Sequence, residues 1–86
     1  FMNVAALAAA QDLRIAPHGA QEVHIHLVAA IPNGLILEYY RDTVDHLRGA
    51  LFKEPLTLDK EGNVEVPDRP GLGVEPNLEL LSEYRV

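Results

Sequence analysis

Two side chains able to move protons close apolar runs in this sequence. His18 follows Leu13-Arg14-Ile15-Ala16-Pro17, and Glu38 follows Leu35-Ile36-Leu37. Polar residues at such strand ends are where α/β proteins place their chemistry. The plain alternatives are a turn histidine capping a strand and a strand-end acid paired with Arg41. His24 and His26 form a second pair, which on a strand would face one way and suit zinc. On a helix they lie about 200° apart and cannot share a metal, and Val28-Ala29-Ala30-Ile31 lacks the acid that a cupin-type site needs. Asp12 precedes His18 by six residues on an extended path, roughly 20 Å away at the opposite end of the strand, which excludes it as a dyad partner. Asp42, Asp45 and His46 cluster at what reads as a solvated helix start. Gly71-Leu72-Gly73 is fed by no strand and followed by no Lys-Ser/Thr pair, so it is a tight backbone passage and not a phosphate loop.

The elements that must position these residues follow from periodicity and punctuation. The Ala-rich opening, Phe1 to Gln11, favours helix, with Val4, Leu7, Ala8 and Gln11 on one stripe. Leu13–His18 is a short strand stopped by Pro17-His18-Gly19. Over 20–31, Val23, Leu27, Ala30 and Ile31 recur at helical spacing, Glu22 sits in the first turn where the dipole favours an acid, and Pro32-Asn33-Gly34 ends the helix. Residues 35–40 form a second strand whose continuous apolar character marks burial on both faces. Helix, strand, helix, strand with short connections is an α/β pattern. After residue 42 the texture changes. Thr43 is placed to cap a short helix reaching about Leu51, and 56–66 alternates with period two around a polar turn, a hairpin signal. Pro67, Pro70, Gly71 and Gly73 exclude regular structure over 67–74. Asn77 is placed to cap a last helix over 78–83.

Composition narrows the partners. Thirteen acids against seven bases give 86 residues a formal charge of −6, which argues against nucleic acid and against an anionic membrane surface. No run approaches the roughly 20 apolar residues of a membrane span. The absence of cysteine removes disulfides, thiolate catalysis and Cys-based zinc sites, and suits the cytoplasm without proving it. With Phe1 first and no charged region before Val4–Ala10, no signal peptide is expected, and the chain reads as beginning within a longer protein.

Taken in order, Pro17-His18-Gly19, His26 through Asn33, Leu37-Glu38-Tyr39, Gly62 through Pro67 and Pro70 through Val74 resemble the C-terminal quarter of the mandelate racemase and muconate lactonizing enzyme family, within the enolase superfamily. The resemblance implies the C-terminal portion of a (β/α) TIM-type barrel, its last two strands with their helices in residues 1–42. Residues 43–86 would then be the C-terminal segment of an α+β capping domain. It further implies Mg²⁺, an acid-sugar carboxylate as substrate, a homo-oligomeric full-length enzyme, and abstraction of the proton α to the carboxylate. His18 matches the base that closes strand seven, and Glu38 the acid at the end of strand eight that hydrogen-bonds the enolate.

Such a proton is very weakly acidic. Its removal needs a base that is neutral at working pH, as imidazole is, and strong stabilisation of the enolate. An acid-sugar dehydratase is the favoured activity, with a 2-hydroxy-acid racemase or a small non-catalytic α/β module as alternatives. The metal ligands, the Lys-x-Lys pair and the dyad Asp of that family have no counterpart here. The ligands are expected upstream of Phe1. Two strands cannot close an eight-stranded barrel, and the chain alone is expected to be inactive.

Overall fold

The computed structural model describes residues 1–85. They form two compact units, the first Phe1–Tyr39 and the second beginning at Tyr40, with four helices: α1 Met2–Ala9, α2 Gln21–Ala30, α3 His46–Ala50 and α4 Leu78–Ser82.

In the first unit, α1 ends in a Schellman-type stop. Leu13 N–H reaches Ala8 O at 2.9 Å and Asp12 N–H reaches Ala9 O at 3.0 Å. Asp12 takes the left-handed position at φ 54°, a place that Asp tolerates better than most residues. The chain then passes Ile15, rises through α2 and returns alongside itself. Ile15 N–H donates to Asn33 O at 2.9 Å and Leu35 N–H donates to Ile15 O at 2.8 Å, a parallel bridge between Ile15 and Gly34. This is a βαβ crossover reduced to one rung. The side chain of Asn33 binds the arrangement together, donating to Ala5 O and Leu13 O at 3.0 Å each. Gly34 is required beside it, because a Cβ there would lie 2.6 Å from Val28 O.

The strands expected over 13–18 and 35–40 are therefore extended segments and not a ladder: among the described residues they pair at that one rung. Ladder pairing is cooperative between neighbours, and neither segment has a second strand on its other edge within the unit. No barrel is formed by these residues. The buried faces also differ from the apolar stripes. Val4 and Leu7 are exposed while Ala5 is buried, and α2 buries Gln21, Glu22 and Ile25 instead of Val23. Leu13, Leu35 and Ile36 stand more than half exposed. The stripes in α1 and along the extended segments thus have no cover within this unit.

In the second unit, α3 starts two residues later than Thr43 would place it. Asp45 is its N-cap, accepting from Arg48 N–H at 3.2 Å, because an aspartate caps better than a threonine and residues 41–44 form a turn closed by Val44 N–H to Arg41 O. Asn77 caps α4 through Leu80 N–H, and its own N–H returns to Leu51 O at 2.8 Å. The hairpin expected over 56–66 contracts to a bridge between Leu58 and Val64, since a lone two-stranded hairpin is marginal in water. Gly73 is buried at φ +70°, and a Cβ there would fall 2.3 Å from the Cβ of Pro67. That close approach is the backbone passage.

What persists of the hairpin is its turn. The Asp59 carboxylate accepts from the backbone N–H of Asn63 and of Glu61, each at 2.8 Å, and these donors, Asn63 foremost, hold its pKa below the ordinary carboxylate value. The unfolded chain takes up that proton at higher pH than the turn does. The stabilisation is thus complete above the unfolded value of about 3.9 and is lost as pH falls through the lower folded value. In an NMR titration the Glu61 and Asn63 amide resonances are expected to move together below about pH 4, and Asp59→Ala removes the transition. Amide shifts that stay constant through that range would show that the carboxylate does not hold the turn.

Candidate functional site

The single rung between Ile15 and Gly34 fixes the register of the two extended segments, so their C-terminal ends leave on the same side. His18 and Glu38 lie at those ends. His18 Nε2 stands 3.9 Å from Glu38 Oε2, and an open cleft of about 520 Å³ runs between the segments, lined by Ala16, Pro17, His18, Ile36, Leu37 and Glu38. Its walls are aliphatic, with the imidazole and the carboxyl group at one mouth. The His18 side chain is 89% exposed and that of Glu38 43%, so a solute can reach both. An imidazole nitrogen and a carboxyl oxygen thus face the same small volume.

The turn that carries His18 is held at both backbone polar groups of Gly19. Gly19 N–H donates to Glu38 Oε2 at 2.5 Å, and His24 Nδ1 lies 2.6 Å from Gly19 O. A carbonyl only accepts, so the imidazole of His24 donates from Nδ1. Gly19 (φ 62°) and Ala20 (φ 43°) are both left-handed. For Ala20 that conformation costs about 1–2 kcal/mol, which is tolerated where neighbours over-determine the backbone. Gly19 itself is buried. Glu38 therefore both faces the cleft and pins the segment bearing its partner.

His24 and His26 lie on α2 and do not form a metal pair. Among the described residues no three His, Asp or Glu side chains converge to hold a metal ion. Asp12 ends α1, Asp45 caps α3, and neither joins His18. The role of His24 at the Gly19 carbonyl was not legible from periodicity. Its only sequence signal is a polar ring one helical turn after a Gly-Ala start. Among the described residues no helix is long and apolar enough to cross a membrane.

The chain is similar in sequence to a known family and to several curated proteins. The family model described as enolase C-terminal domain-like matches residues 1–80. The chain is 33% identical over its whole length to a 3,6-anhydro-alpha-L-galactonate cycloisomerase of Streptomyces coelicolor, covering 22% of that protein. It is 40% identical over 85% of its length to an L-talarate/galactarate dehydratase of Salmonella typhimurium, covering 17% of it. It is 35% identical over its whole length to a D-galactarolactone cycloisomerase of Agrobacterium fabrum, covering 26% of it. The chain thus spans between about a sixth and a quarter of the length of these curated relatives. No solved structure matches.

Proposed function

Because the chain belongs to the enolase C-terminal domain-like family, the mandelate racemase and muconate lactonizing group of the enolase superfamily, we propose that it is the C-terminal part of an enzyme that abstracts the proton α to the carboxylate of an acid sugar. Residues 1–42 are the last two strands and helices of its barrel, and the remainder belongs to its capping domain. The uncovered apolar residues Val4, Leu7, Leu13, Leu35 and Ile36 support this reading, since a complete barrel would bury such stripes.

The observation that carries the functional reading is the convergence of His18 and Glu38 on one cleft mouth. His18 Nε2 takes the α-proton, and the electron pair moves onto the substrate carboxylate. Glu38 donates a hydrogen bond to the oxygen where charge develops, the kind of contact that strengthens in the transition state. Departure of a β-hydroxyl as water, protonated by the imidazolium that His18 has become, completes a dehydration. Departure of a ring oxygen instead completes a cycloisomerisation, a second reading favoured by the two cycloisomerases matched along the whole chain. The full enzyme takes Mg²⁺ through residues outside this chain.

The test is a panel of acid sugars offered to the full-length protein with Mg²⁺ and again with EDTA. Turnover is expected with the metal and not with the chelator, and mass spectrometry of the product separates loss of water from an unchanged mass. The 86-residue chain alone is expected to be inactive. Turnover by that chain, or none by the full-length protein on any acid sugar, would contradict the proposal.

A further inference from the structure

We infer that His24 is a positioning residue, which sets the orientation of the His18 turn by donating from Nδ1 to the Gly19 carbonyl. The inference rests on His18 acting as the base. Three features of the molecule converge on it. Gly19 lies between His18 and the start of α2, and its backbone is gripped at N–H by Glu38 and at C=O by His24. The two residues following His18 are both left-handed, a conformation that has no local preference at Ala20 and must be imposed by partners. The His24 ring is itself fixed, with its backbone N–H on Ala20 O at 2.9 Å and its ring 6.0 Å from that of Phe1.

The carbonyl demands a donor at Nδ1, and Nδ1 carries a proton in both the imidazolium and the matching neutral tautomer. The grip therefore persists whichever protonation state His24 adopts. A base that is displaced by a fraction of an ångström or turned from its substrate loses rate without losing affinity. The contribution of His24 is accordingly to turnover and not to binding.

The experiment uses the full-length protein and three variants. His24→Phe keeps a ring against Phe1 and removes the donor, His24→Asn restores a donor near the Nδ1 position without the ring, and His18→Asn reports on the base itself. In His24→Phe, kcat is expected to fall about 30-fold with KM within about twofold, and His24→Asn to recover to within about threefold of the parent. Hydrogen exchange of the peptide covering 17–24 is expected to speed up about tenfold in His24→Phe and to return in His24→Asn, a readout that needs no substrate. Equal losses in Phe and Asn variants, or exchange that is unchanged at 17–24 or raised throughout the protein, would overturn the positioning role. Normal rates in His18→Asn would instead remove the base on which it rests, while the exchange comparison still decides whether His24 holds the turn.

Discussion

Replacing His18 by Asn in the full-length enzyme is expected to lower kcat about 10³-fold on its acid sugar, the middle of the range for a positioned general base, and to leave KM close to its parent value. Asn fills a similar volume and keeps hydrogen-bonding capacity, but it accepts no proton at any working pH. The side chain stands at an open mouth and is 89% exposed, so its replacement creates no cavity and leaves the fold intact. Steady-state kinetics with a parallel thermal melt checks both halves. A variant with lost rate and an unchanged melting temperature fits a chemical role. A variant that retains normal turnover would reduce His18 to a turn residue.

The second large effect belongs to Glu38, whose two tasks separate by substitution. Glu38→Ala removes both the group facing the cleft and the acceptor for Gly19 N–H. Glu38→Gln keeps an oxygen able to accept from Gly19 and loses the carboxyl group. Turnover is expected to fall about 10²- to 10³-fold in Glu38→Ala, as for deletion of one donor to a developing oxyanion, and by less in Glu38→Gln, whose amide still donates. Only Glu38→Ala is expected to expose the Gly19 amide to rapid hydrogen exchange, and to lose stability through the broken link between the two extended segments. Equal exchange at Gly19 in both variants would show that the carboxyl does not pin the turn. Full activity in Glu38→Gln would show that its acidity is not used.

The proximity of His18 and Glu38 was legible because its signal is short-range: a polar residue closing each of two apolar runs, with a helix between them. A crossover of that kind forces both ends to one side, and the structure brings the two side chains within 3.9 Å. Capping chemistry was legible for the same reason, fully at Asn77 and two residues out of register at α3, where Asp45 displaced Thr43.

What was not legible depends on groups that sequence spacing does not encode. Pairing over 13–18 and 35–40 needs strand neighbours on the outer edges, and without them one rung remains. The buried side of α2 follows Gln21, Glu22 and Ile25, because burial is set by what a face packs against, and Val23 has nothing opposite it in this unit. The grip of His24 on Gly19 crosses from a helix to the turn before it, with donor and acceptor five positions apart, a separation at which neither helical nor strand periodicity carries information.

The central claim, that His18 takes a proton from carbon beside a carboxylate, is tested most directly by following that hydrogen. The full-length protein and its His18→Asn variant are incubated with the acid sugar in D₂O, and the α-position is read by NMR in recovered substrate and in product. The account predicts loss or exchange of the α-hydrogen with the parent enzyme and retention with the variant. Exchange at the parent rate in His18→Asn would contradict it.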